Sequence, residues 1–334
     1  LRATPARVGL VCLGLTLFLI LVLLLCLGLG TADIRPAQVL NWLFGTIPQN
    51  SAAVILTKFR LPRLLLAALA GASLSMSGAV FQGVLRNPLA EPFILGVSGG
   101  AAAGAVLALL LGPASLALTA SAAFAGALAT ILLVMGIARR HGRMETSTLV
   151  LTGVMINAFF TSAIMFVIST TTDQKLHAIM FWLYGDLSGS NIEQAWLLGP
   201  VVLCGGLLLF GYSRHLNLLS AGDRAAALAG VRVERVKLVL FLTVSLLCGV
   251  TVCLSGLIGF VGLMVPHLVR MVLGHDYRLL LPAAGLFGAS FLVLADTAAR
   301  TVISPAQLPV GVVTASLGAP FFLMLLAKRG SRWW

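Results

Sequence analysis

Charge is scarce in this chain. Asp and Glu number 10 and Lys and Arg 22 in 334 residues, so 10% of positions are charged against 59% that are hydrophobic. No lysine follows a glycine, which removes the G-x-x-x-x-G-K-[ST] loop that cradles nucleotide phosphates, and H-E-x-x-H does not occur. No ATP hydrolysis and no catalytic residue is expected of the chain itself. The five cysteines, Cys12, Cys26, Cys204, Cys248 and Cys253, form no C-x-x-C pair and lie in apolar stretches. Buried packing is expected of them, with no disulfide and no bound metal.

What is abundant is long apolar sequence, with a mean hydropathy of +1.05. A hydrocarbon core about 30 Å thick takes roughly 20 helical residues to cross. Ten stretches approach that length, near 8–30, 61–85, 93–111, 114–138, 147–169, 195–212, 236–257, 259–273, 279–299 and 308–327. They predict an all-α integral membrane protein of about ten transmembrane helices, a single transmembrane domain over 1–334. The first run is too long for a removed secretory signal and has no convincing small-residue cleavage site, so a retained helix is expected there. The eighth is short and stops at Gly274-His275-Asp276; broken helices beside glycine and proline are a common way to line a transport path. Ser77-Gly78 ahead of Pro88 and Ser255-Gly256 ahead of Pro266 share one spacing in oppositely directed spans, a weak inverted echo. Small-residue runs at 71–73, 96–104 and 285–290 allow helices to approach closely in lipid.

Charge placement sets the expected orientation. With a cytoplasmic N-terminus, all but six of the 22 Lys and Arg residues fall on the cytoplasmic side, as the positive-inside rule requires. Both termini are then cytoplasmic, segments 31–59 and 170–194 are outside, and the net charge of +12 needs no nucleic-acid partner. The exceptions are Arg35, Lys58, Arg60, Arg63, Lys175 and Arg300. Arg60, Arg63 and Arg300 gather at one outer mouth, a cluster suited to an acidic partner or an anionic ligand. Ion-driven secondary transport, the alternative class, needs ionisable groups at membrane depth. The best the spans offer is Asp296, with Arg300 one helical turn on, where an intrahelical pair is the simpler account.

A hydrophilic island, 213–237, interrupts this pattern on the cytoplasmic side. Ser220 followed by Asp223 reads as a capping-box start, and Gly230 as a left-handed stop. So short a helix is marginal alone and needs a partner to dock against.

Several motifs together resemble a known family. Arg60-Leu-Pro-Arg63, Gly71-Ala72, Ser77-Gly78, Asn87-Pro-Leu-Ala-Glu-Pro92 and Leu95-Gly-Val-Ser-Gly99 are similar to the permeases of binding-protein-dependent ABC importers for ferric siderophores, haem and cobalamin. So are Gly259 through His267, Asp296-Thr-Ala-Ala-Arg300 and the run 308–322. The resemblance implies a homodimer of ten-helix subunits in the bacterial inner membrane, with the pathway on the dimer axis. It implies two cytoplasmic ABC ATPase subunits, which bind the ATP and Mg, and one periplasmic binding protein. The chain would bind no cofactor, and a haem or ferric chelate would be the transported substrate, with haem favoured and cobalamin the alternative.

By the same resemblance the island is the ATPase-coupling helix, carried by Ser220, Asp223, Arg224, Ala225, Ala226, Leu228 and Gly230. Its wording is similar to E-A-A-x-x-x-G, with Arg224 where glutamate would stand. Arg60, Arg63 and Arg300 would receive acidic side chains of the binding protein. Asn87, Leu89, Thr146 and Ser147 would narrow the cytoplasmic end of the pathway. Of the five histidines, His177 alone is expected outside, near Met180 and Tyr184.

Overall fold

A computed structural model describes residues 4–46, 51–112, 115–138, 146–171 and 173–329. Arg139, Arg140 and Arg143, counted above as cytoplasmic charge, lie outside the described residues.

Among the described residues regular structure is helical throughout. Helix α1 (Pro5–Gly28) is followed by α2 (Pro36–Leu43) and α3 (Ser51–Val54), which runs through a π-turn at Ile55–Arg60 into α4 (Leu61–Val84). A 3₁₀ turn at Pro92–Leu95 precedes α5 (Val97–Leu111), α6 (Leu116–Ala138) and α7 (Thr146–Thr170). Then come α8 (Asp173–Leu183), α9 (Ile192–Gly211), α10 (Ser213–Ser220), α11 (Asp223–Leu228), α12 (Val233–Ser255), α13 (Val261–Leu273), α14 (Tyr277–Thr301) and α15 (Val310–Arg329).

Seven of these stretches are long and apolar enough to cross a membrane: α1, residues 51–84, α6, 148–170 of α7, α9, α12 and α14. Three more, 97–111, 261–273 and 310–325, are apolar but shorter. Each of the ten expected stretches thus contains a helix, with corrected ends. The third begins at Val97 rather than near 93, because Gly96 turns left-handed at φ +75° after the 3₁₀ turn. The segments expected outside, 31–59 and 170–194, contain regular structure, since α2 and α8 form within them.

Helix α4 is the hub, with nearly every residue from Ser73 to Val84 buried. It packs on α14, α13, α9 and α12. Two close approaches need glycine. A Cβ on Gly71 would strike the Gly288 carbonyl of α14, and one on Gly78 would strike the Gly262 carbonyl of α13. In lipid, where burial of apolar surface gives little driving force between helices, such backbone contact supplies dispersion attraction instead. Polar links add specificity: the Thr251 hydroxyl of α12 meets Ser73 Oγ of α4 at 2.8 Å, and the Gln82 amide donates to the Leu263 carbonyl at 3.1 Å.

Two interrupted regions meet in space. Segment 85–96 and segment 256–260 both leave helical geometry, and the Glu91 carboxylate accepts the Phe260 N–H at 2.8 Å. Phe260 stands at φ +67°, a left-handed conformation unusual for a bulky residue. Non-helical backbone at this depth is tolerated because protein partners satisfy its polar groups.

Candidate functional site

The bundle has two chemically distinct ends, one carrying α10 and α11 and the other the arginine cluster.

At the first end the island forms two helices rather than one. Ser220 closes α10, with its hydroxyl donating to the Asn217 carbonyl at 2.8 Å, so it does not cap α11. The N-cap of α11 is Gly222, whose φ of +119° turns the chain sharply between the two. Gly230 takes the left-handed conformation expected of it, at φ +83°, and the Val231 N–H reaches back to the Ala226 carbonyl at 3.0 Å. Asp223 pairs with Lys237 of α12, Nζ to Oδ2 at 2.6 Å, and Ala226 is buried. These anchor a six-residue helix that propensity alone would not hold. Its outward side carries Arg224 and Ala225, and Leu228 is 91% exposed. Leu228 thus projects outward from a helix that is pinned on its other side by Asp223 and Ala226.

Helix α10 connects this knob to the bundle. Leu216 and Leu219 are buried, and Asn217 bridges to the start of α14. Its Nδ2 donates to Asp276 Oδ1 at 2.9 Å, and its Oδ1 accepts the Tyr277 N–H at 2.9 Å. Arg278 donates to the same carboxylate, with Nη2 to Oδ2 at 2.6 Å. Hydrogen bonding from Arg278, with a smaller contribution from Asn217, holds the Asp276 carboxyl well below the usual carboxylate range. The sequence reading missed this clamp. Asp276 looked only like part of a span stop, although Asp ahead of an apolar helix is also an N-cap signal, and its side chain does accept the Arg278 N–H at 3.1 Å.

The segments expected to form the inner gate lie toward this end. Asn87 and Leu89 sit on the exposed loop after α4, where Asn87 Oδ1 accepts the Leu89 N–H at 2.9 Å and fixes the turn. Thr146 and Ser147 open α7, and their side chains lie outside the described residues. The turn at 92–95, which follows the loop holding Asn87, packs against α7.

At the other end, Arg60, Arg63 and Arg300 were expected to be open to a partner. They are 4%, 7% and 5% exposed. Arg63 grips Asp296 with Nε at 3.0 Å and Nη2 at 2.9 Å, and its Nη1 donates to Gln307 at 2.9 Å. Arg300 Nε lies 3.2 Å from Asp296 Oδ2, the intrahelical pair that the spacing offered. Arg60 donates to the carbonyls of Leu27 at 2.6 Å and Gly28 at 2.9 Å, closing the C-terminal end of α1. Internal partners therefore replace the docking contacts expected of these side chains. Arg63 and Arg300 share the one Asp296 carboxylate, while Arg60 is held by backbone carbonyls.

Beside this end, His177 is exposed on α8, stacks 4.4 Å from Phe181, and lines a cavity of about 440 Å³ with Thr119, Asp186, Ser188 and Gln194. Among the described residues no three His, Cys, Asp or Glu side chains converge as metal ligands.

Comparison with known proteins bears on what these ends serve. A cobalamin import system permease protein from Halobacterium salinarum is 44% identical over 283 residues, covering 85% of this chain and 76% of its own. A hemin transport system permease protein from Yersinia pestis is 39% identical over 310 residues, covering 91% of this chain and 92% of its own. Among solved structures, a metal-chelate type ABC transporter in an inward-facing conformation superposes with a TM-score of 0.83 at 34% identity, covering 96% of this chain and all of that one. The profile of the FecCD transport family matches residues 18–328, so the chain belongs to that family and is a membrane permease subunit of an ABC importer.

Proposed function

We propose that this permease imports a metal-centred macrocycle, haem or cobalamin, across a bacterial cytoplasmic membrane, and that ATP hydrolysis in partner subunits drives it through α11. The observation that carries the coupling assignment is the pinned, outward Leu228 on a chain with no phosphate loop of its own. Relatives named for cobalamin and for hemin support the substrate class.

In this reading two ATPase subunits, which hold the ATP and Mg, receive α11 from the two copies of a homodimer. Both termini and α11 face the cytoplasm. A displacement of α11 reaches α14 through α10 and the Asn217–Asp276 link, and it reaches the gate loop at Asn87 and Leu89 through α4, on which α10 also packs. The binding protein docks at the opposite end, the one held together by Arg60, Arg63 and Arg300. The chain supplies a path and a lever, and holds no cofactor.

Vesicles containing the permease, its ATPase and its binding protein test the assignment. With ATP, haem or cobalamin should enter and register in the lumen by its absorbance band. Uptake of neither, with a ferric siderophore carried instead, would overturn the macrocycle assignment. Uptake by the permease alone under an ion gradient would overturn the ABC mechanism.

A further inference from the structure

Among the described residues a large cavity lies on the flank of the bundle. It is a groove of about 990 Å³ between α1 and α9, floored by α4 and α14. Along α9 it runs from Ile192 to Phe210, about 27 Å at 1.5 Å per residue, close to the full thickness of a hydrocarbon core. Leu65, Leu69, Met76, Leu281 and Leu286, with small residues between them, form its floor, and its lining is almost wholly apolar. Trp196, 75% exposed, stands near one end, where an amphipathic ring favours the headgroup level.

The other mouth is basic. Arg7 precedes Val8, which lines the groove; Arg278 lies one turn before Leu281, which also lines it; and the exposed Arg214 lies one turn beyond Phe210. Three helices thus bring three guanidiniums to one leaflet boundary. Arg278 shares its charge with Asp276, but Arg7 has a single weak partner, the Leu273 carbonyl at 3.4 Å. Its Nη1 is buried with no hydrogen-bond partner. An unpaired buried guanidinium nitrogen beside an acyl-sized groove calls for an acceptor oxygen with negative charge.

We propose that this groove is a binding site for an anionic phospholipid, its phosphate among Arg7, Arg214 and Arg278 and an acyl chain along α9. A second copy of the chain fits less well. A two-fold contact through this face would bring the same arginines from both copies together, and like charges repel.

Cys204 lines the groove and is exposed, so it can carry a fluorescent label in a Cys12→Ala background. In vesicles of phosphatidylcholine, the label should be quenched by brominated phosphatidylglycerol at a lower mole fraction than by brominated phosphatidylcholine. R7Q and R214Q should each raise the half-quenching mole fraction of the glycerol lipid up to about fivefold and leave the choline lipid unchanged. Equal quenching by both lipids would reduce the site to ordinary annular lipid and overturn the proposal. A label shielded from both would show that protein fills the groove. A preference that survives both substitutions would overturn the headgroup assignment.

Discussion

Replacing Asp296 with leucine separates the two accounts of the arginine cluster. The carboxylate is fully buried and accepts from Arg63 at 2.9 and 3.0 Å with Arg300 at 3.2 Å, so its removal leaves two guanidiniums, 7% and 5% exposed, without their counter-charge. Breaking a buried pair by deleting one partner costs about 3–5 kcal/mol, because the remaining charge stays desolvated. Asp296→Asn keeps an acceptor and should cost less, about 1.5–3 kcal/mol for weakened hydrogen bonds to charged groups. Arg63→Met alone should also destabilise, and combined with Asp296→Leu it should recover part of the loss, since an apolar replacement of both partners is often nearly neutral. Recovery stays partial because Arg300 then relies on Thr297 Oγ1, 3.0 Å away. Buried Cys26, Cys248 and Cys253 supply the assay: they react with a thiol dye only on unfolding, once exposed Cys204 and half-buried Cys12 are changed to serine and alanine. A midpoint for Asp296→Leu that stays within about 0.5 kcal/mol of the parent, as for a surface change, would refute the internal cluster and restore an open docking surface.

Other consequences follow from the α10–α11 end. Gly230→Val forces a β-branched side chain into φ +83° and should cost about 1–2 kcal/mol of local stability, seen as faster proteolysis between α11 and α12, whereas Gly136→Ala in open space on α6 should not. The depressed Asp276 carboxyl stabilises the fold above the usual carboxylate pKa of about 4, and that stability is lost only as pH falls through its lower folded value. The stability gap between parent and Asp276→Ala should therefore stay constant from about pH 8 to 5 and shrink only below about 4; a gap that fades between 6 and 5 would contradict the clamp. Reversal of Arg224 to glutamate should leave the folded permease unchanged, since its side chain is exposed, and alter only the ATPase affinity, read by co-purification.

The parts legible in sequence were those set by composition over long windows or by a single backbone requirement. Apolar runs located the seven helices long enough to cross a membrane because lipid permits few alternatives, and Gly230 announced a left-handed stop that the structure contains. Ser220 misled because its capping pattern is only local, while the chain inserts Gly222 and turns before α11 begins. The arginines misled for a different reason. Asp296 and Arg300 are one turn apart and readable, but Arg63 is 233 residues from Asp296, and only the packing of α4 on α14 brings them together. Helix α8 lies in a segment expected only to be outside the membrane, and the Asn217–Asp276 link joins residues 59 apart.

The central claim is that an ATP cycle in another subunit acts on this permease through Leu228. Leu228→Asp, tested in vesicles with the ATPase and binding protein, addresses it most directly, because a side chain 91% exposed contributes little to the fold. The account predicts an unchanged unfolding midpoint together with loss of ATP-dependent uptake. Full uptake by a normally folded Leu228→Asp permease would contradict it.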